Sequence, residues 1–289
     1  MHELAPGIFA ETGFRRINVG AVLTDDGWVL IDTPPYPEDA RRWREMLLGI
    51  NDAPICAIVT TDCHRDRFLG NAWFEPRVIV AHAETIAHIR SLPAASVESA
   101  IESLAQDTGE QRDFASVRLR LPTIGFTRRM QLRYGGREIP LLAMPGPTSG
   151  SLWVHLPDHG ILFAGDSIIV NQHLYISSAS TKDWLENMTN LRRSRFAAEI
   201  IVPGRGPLTD KSATEPISNY LRLARRRVHS LYRAGRPRAD TISLVPELLP
   251  LFPYQEHEVE RIQRRIKAGL DRIYEEFKLS DRLSDTSAR

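Results

Sequence analysis

The feature that most constrains this chain is its layout. Short β-branched runs joined by turn residues occur in two blocks, and each block carries helical stretches of its own. In the first block, residues 17–24 and 28–32 read as strands around Asp25-Asp26-Gly27, a hairpin signal. Thr33-Pro34-Pro35 breaks the chain, and residues 37–50 place Ala40, Trp43, Met46 and Leu47 at helical spacing. Residues 55–60 and 77–81 read as short buried strands and 82–92 as a helix. Residues 93–125 read as a helix followed by a connection. In the second block, residues 128–134 and 138–144 flank Gly135-Gly136, and 152–156 and 161–164 flank Pro157-Asp158-His159-Gly160, so two more hairpins are expected. Residues 181–193 form a helix with apolar positions 184, 185, 188 and 191, and residues 199–202 form a last strand closed by Pro203-Gly204. Hairpins mixed with helices favour sheets packed face to face with helices outside.

From about residue 214 the chain changes character. It becomes all-helical and Arg-rich, so residues 1–210 are assigned to an α/β domain and 211–289 to a helical extension packed on it. Ile217, Leu221, Ala224, Val228, Leu231 and Tyr232 make one apolar stripe; Val259, Ile262, Ile266, Leu270, Ile273 and Phe277 make another. The second stripe fits two uses equally: a homodimer seam through the C-terminal helices, or a cap on the sandwich of the same chain. The basic stretch Arg222, Arg225-Arg226-Arg227, Arg233, Arg236 and Arg238 reads as the solvated face of an amphipathic helix, with acidic partners elsewhere.

Composition narrows the function classes. The 37 basic and 36 acidic residues nearly cancel, so no nucleic-acid partner is expected. Two cysteines exclude a Cys-rich zinc site and a disulfide scaffold, and any metal must lean on His and carboxylate. Met1-His2-Glu3-Leu4-Ala5-Pro6 has neither a basic nor an apolar leader region, and no run approaches the roughly 18 apolar residues of a membrane span. A soluble cytoplasmic protein is expected, with Cys56 and Cys63 as free thiols and no membrane contact.

Five segments, in order, carry a more specific signal. They are Val29-Leu30-Ile31-Asp32-Thr33; the polar loop from Thr60 to Asn71; Pro145-Gly146-Pro147-Thr148-Ser149-Gly150-Ser151; Leu162-Phe163-Ala164-Gly165-Asp166; and Val202-Pro203-Gly204-Arg205-Gly206-Pro207. Together they resemble the metallo-β-lactamase superfamily over roughly residues 7 to 206. The resemblance implies a four-layer αββα sandwich, here with a C-terminal helical extension. In that family a His-x-His-x-Asp-His loop, two further His and a bridging Asp hold two zinc ions, and a bridging hydroxide attacks the substrate.

Carried over by position, the ligands differ. The loop motif reads Asp62, His64, Asp66 and Arg67; the next His is Pro147; the bridging Asp is Asp166; the last His is Arg205. Proline offers no side-chain donor and arginine stays protonated. Two readings follow. In the first, Arg67 and Arg205 replace the zinc charge by pairing with Asp66 and Asp166. The chain is then a pseudoenzyme, or a binding protein that takes a small-molecule ligand in the old cleft, and no cofactor is expected. In the second, it is a hydrolase of the ester, thioester or lactam type. A single Zn, Fe or Mn ion would sit on the remnant ligands Asp62, His64 and Asp166, with Asp66 as a candidate catalytic base or orienting group.

Cleft residues are expected to include Arg67, Arg205, Asn171, His173 and Tyr175, the last three following the Gly-Asp strand. Cys63 would be a nucleophile only if Arg65 or Arg67 lowered its pKa, and alternation along an extended loop turns it away from His64. The other seven histidines lack metal-ligand spacing and are read as non-ligands.

Overall fold

Strand β4 (Gly27–Ile31) shows how the layers arise. All five of its residues are buried, and they alternate between two cores: Val29 and Ile31 face one, Trp28 and Leu30 the other. A strand buried on both faces needs a layer on each side. Its neighbours repeat the pattern, with Ala57 and Val59 on one side and Ile58 on the other.

The computed structural model describes residues 1–93, 95 and 118–287. The first sheet has the order β1(His2–Ala5), β2(Ile8–Glu11), β3(Val19–Thr24), β4, β5(Ile55–Val59), β6(Val78–His82), β7(Ile124–Phe126). Strands β1 to β4 are antiparallel neighbours, and β4 to β7 run parallel. The second sheet is made of β8(Arg129–Tyr134), β9(Arg137–Ala143), β10(Leu152–Leu156), β11(Ile161–Ile169) and β12(Ile200–Arg205). Its β11–β12 pair is parallel, and its other neighbours are antiparallel.

The two sheets pack face to face. Val22, Val29, Val59 and Val80 of the first meet Ile139, Leu141, Val154 and Phe163 of the second. Gly20 permits the approach, because a Cβ there would run into the Phe163 ring. The outer face of the first sheet is covered by α1(Pro37–Leu48). That helix starts on Pro37 with Glu38 and Asp39 in its first turn, and it buries Ala40, Trp43 and Leu47. Among the described residues of this part of the chain, two short helices follow, α2(Arg65–Phe68) and α3(Ala83–Ser91).

The outer face of the second sheet is covered by α4(Thr181–Leu191), α5(Thr214–Arg233), the short α6(Val245–Leu248) and α7(Val259–Ser287). Trp153 and Leu162 of that sheet share one core with Trp184, Leu221, Val228, Ile266 and Leu270. The architecture is therefore an αββα sandwich with C-terminal helices. The second apolar stripe caps this sandwich within the chain. The basic stretch is internally paired in part: Arg225 with Glu276, Arg227 with Glu247, Arg236 with Asp240 and Arg238 with Glu275.

Several boundaries differ from the sequence reading. β1, β2 and β7 are not among the expected strands. β11 runs five residues beyond Ala164, and β12 runs through Pro203-Gly204 to Arg205. The helix expected after residue 93 falls largely outside the described residues. No helix among the described residues is long and apolar enough to cross a membrane.

Candidate functional site

The parallel pairs β4–β5 and β11–β12 bring chemistry-bearing strand ends to one edge of the sandwich. Asp32 follows β4, Asp62 and His64 lie just past β5, Asp166 lies in β11 and Arg205 ends β12. The loop after β5 is shaped by Asp62, whose Oδ1 accepts from the His64 backbone N at 2.8 Å. The chain then enters α2, which turns Asp66 and Arg67 inward; both are buried.

The result is a buried network of four carboxylates, two guanidiniums and one imidazole. Arg67 is 0% exposed. Its Nη1 donates to Asp32 Oδ2 at 2.9 Å, and its Nη2 donates to Asp166 Oδ1 and to the Gly204 carbonyl. Arg205 Nη2 donates to Asp66 Oδ2 at 2.6 Å and to Asp166 Oδ2 at 3.2 Å, and its Nη1 donates to the Arg16 carbonyl. His64 Nδ1 lies 3.0 Å from Asp62 Oδ2 and 3.4 Å from Asp166 Oδ2. Asp32 also accepts from Thr61 N and Thr61 Oγ1, at 2.8 and 2.7 Å.

Charge and burial compete throughout. Burial alone would raise the Asp166 pKa, but the guanidiniums of Arg205 and Arg67 hold it well below the usual carboxylate range. The same contest leaves Asp66 lowered: burial and Asp166 would raise it, and Arg205, Arg67 and His64 together overcome them. Burial opposes the charge on His64, yet Asp62 and Asp166 together push its pKa well above the ordinary value. Asp32 goes the other way: burial lifts it to about 6 despite Arg67. Cys63 is pushed up to about 11 by burial and by Asp62, so the activation considered for it from Arg65 or Arg67 is absent.

The network floors an open cleft of about 970 Å³, whose opposite wall is built by the C-terminal extension. Asn171 is exposed at the rim in a left-handed conformation, φ 56°. Tyr175 is half-buried, with the Arg205 guanidinium 4.6 Å and the Arg265 guanidinium 4.0 Å from its ring centre. His173 also borders the cleft but is buried. Its Nε2 lies 3.0 Å from the Leu249 carbonyl and its ring packs against Tyr220 and Phe252, so it ties the extension to the strand-end loop. Pro147 is buried in the 145–151 turn.

The sequence profile described as the metallo-beta-lactamase superfamily matches residues 12–205. The chain belongs to that superfamily. Acyl-coenzyme A thioesterase MBLAC2 of Bos taurus is 30% identical over 190 residues, which cover 61% of this chain and 64% of the relative. The match therefore spans less than two thirds of that protein. Among solved structures, a metallo-beta-lactamase family protein from Thermus thermophilus superposes with a TM-score of 0.66 at 16% identity, covering 96% of this chain and 95% of its own. A metallo-beta-lactamase from Pontibacter korlensis gives 0.56 at 20% identity, covering 76% and 97%.

Zinc is the metal that superfamily membership implies, and the donor set can be tested against it. A dinuclear centre does not fit. Two of its ligand positions hold buried guanidiniums bonded to Asp166, which would have to bridge the ions, and Pro147 supplies no donor. One ion does fit the donor count. Asp62, His64 and Asp166 each offer a ligand atom, and these atoms lie within 4.8 Å of one another. Such an ion would need His64 to lose its proton, and it would share Asp166 Oδ2 with Arg205.

Sequence reasoning gives no site role to Asp32, Arg16, Arg261, Arg264 or Arg265. Asp32 is legible in principle, because it ends a buried strand opposite Arg67's loop. The arginines of α7 are not. Their heptad positions do not say which surface that helix overlies.

Proposed function

We propose that this protein is a superfamily member whose dinuclear site is replaced by an internal arginine–carboxylate network, and that it binds an anionic small molecule in the old cleft without catalysis. One observation carries the reading: each carboxylate oxygen of Asp166 accepts from a different buried guanidinium. Charge-assisted bonds of this kind are strong. A buried charge stripped of its partner costs about 3–5 kcal/mol, so the set is retained as a unit. The cleft above it is lined by six arginines against two carboxylates, and both carboxylates are already paired, Asp66 with Arg205 and Glu258 with Arg261. Arg205 Nε is buried without a hydrogen-bond partner among the described residues.

A second reading is favoured by the Asp62–His64–Asp166 group. These residues would hold one Zn, Fe or Mn ion, which supplies Lewis acidity and a nucleophilic hydroxide near neutral pH. The thioesterase relative then points to a thioester substrate. Asp66, the candidate base in this reading, has Oδ2 engaged by Arg205 at 2.6 Å and would have to exchange that bond to act.

Metal analysis separates the two. Protein purified without added metal and then offered Zn²⁺, Fe²⁺ or Mn²⁺ is expected to retain well under one equivalent. Arg67→Met should lower unfolding free energy by about 3–5 kcal/mol in urea. A full equivalent that is lost in His64→Ala, with thioester turnover that follows the metal, overturns the proposal.

A further inference from the structure

We propose that the mouth of the cleft is a phosphate subsite, in which Arg16, Arg261 and Arg264 hold the phosphate or polyphosphate group of a small-molecule phosphate ester. This rests on the reading that the cleft takes an anion, and it names the anion's class.

The three guanidiniums come from distant parts of the chain. Arg16 belongs to the loop after β2. Its backbone is left-handed, φ 66°, a costly conformation for a long side chain, and its carbonyl is held by Arg205 Nη1. Arg261 and Arg264 belong to the first turns of α7, a helix fixed over the site by its buried Ile262, Ile266 and Leu270. All three line the same cleft. The guanidinium of Arg16 pairs with no carboxylate among the described residues. Among the described residues, Arg264 has a 3.4 Å bond from Nε to the Glu260 carbonyl and no carboxylate partner. Arg261 has Glu258, yet burial and the charges of Arg16 and Arg265 still hold its pKa below the ordinary value. Arg265 is already committed to the Tyr175 ring and the His173 carbonyl. Like charges on adjacent turns repel, and of the three only Arg261 has a carboxylate partner among the described residues, so the charges of Arg16 and Arg264 are left without one.

The chemistry of the missing partner follows. A single guanidinium fork satisfies a carboxylate. Three guanidiniums lining one cleft from two segments match a group with more charge and more acceptor oxygens, which is a phosphate or diphosphate. The cleft is large enough for an organic body beyond it. That body would reach Tyr175 and His64, which border the same cleft.

Isothermal titration of the full chain with inorganic pyrophosphate, and with citrate as a carboxylate of comparable charge, tests the subsite. Pyrophosphate is expected to bind at one site and about tenfold more tightly than citrate, the equivalent of one extra charge-assisted contact. The Arg16→Ala/Arg264→Ala variant should weaken pyrophosphate about tenfold or more. Its melting temperature should be unchanged, because both side chains are exposed. Equal binding of both anions, insensitive to this variant, overturns the subsite and leaves the anion-binding cleft standing. Pyrophosphate binding that requires added Zn²⁺ and disappears in His64→Ala assigns the anion to a metal and also overturns it. No binding of either anion overturns subsite and cleft reading together.

Discussion

At the scale of single residues, the site is governed by how protons are held. His64 lies between Asp62 and Asp166, and its pKa stands well above 6.5 although burial opposes its charge. The folded chain therefore binds this proton more tightly than the unfolded chain. The resulting stability is fully present below about pH 6.5 and is lost as pH rises through the folded value. Asp166 and Asp66 act on the other limb. Burial would raise them, but their guanidinium partners leave both lowered, so their contribution is present above about pH 4 and is lost as pH falls through the folded values. Asp32, lifted to about 6 by burial, has the opposite sign: its share declines as pH rises from about 4 to 6. Urea midpoints measured across pH should decline from about pH 6.5 upward, and His64→Gln should remove that alkaline decline. A ring-proton NMR titration that finds His64 neutral at pH 7 would contradict this, and it is also the result a metal-bound imidazole would give.

At the scale of elements, β12 does more than its length suggests. Its Gly204 carbonyl accepts from Arg67 Nη2 at 3.0 Å and from the Asn18 backbone N at 2.9 Å, so the strand end clamps the arginine between the two sheets. A Cβ on Gly204 would collide with the Asp166 carboxylate and the Arg67 guanidinium. Gly204→Ala is therefore expected to cost about 1–3 kcal/mol, read from urea unfolding, as overpacking does elsewhere. An unchanged midpoint would mean that the strand end yields. This strand also marks where sequence reading fails. Pro203 reads as a stop, yet β12 is the edge strand of its sheet, where a missing N–H breaks no ladder. β7 has only three residues, two of them exposed, so it shows no buried alternation to detect. The strands that are legible, β4 and β5, are buried on both faces and read as continuous apolar runs. Motif positions are legible for a different reason: each sits at or near a strand's C-terminal end, where the neighbouring residues are constrained.

At the scale of the molecule, the extension belongs both to the core and to the cleft. Periodicity locates the apolar stripes of α5 and α7, but a stripe carries no address. Only the folded chain shows that Ile217, Leu221, Val228, Ile266 and Leu270 cover Trp153 and Leu162 of the second sheet, together with Trp184, Met188 and Leu191 of α4. Polar ties fix the same arrangement. Glu276 of α7 accepts from the Thr181 backbone N at 2.7 Å and from Arg225 of α5 at 2.7 Å, joining three helices at one carboxylate. A chain ended at residue 210 would therefore uncover part of the core that α4 and the second sheet share with the extension, and lose one wall of the cleft. The core of Trp184, Met188 and Leu191, each 0% exposed, would lose the cover that the extension gives it. A contiguous apolar surface of this kind drives association. The shortened chain should accumulate in inclusion bodies or, if recovered, bind a hydrophobic dye and lose cooperative unfolding. A soluble 1–210 fragment with a sharp urea transition would show instead that the sandwich stands alone. The pyrophosphate titration applied to that fragment would then report how much of the anion site the extension supplies, because Arg261 and Arg264 leave with it while Arg16 and Arg205 remain.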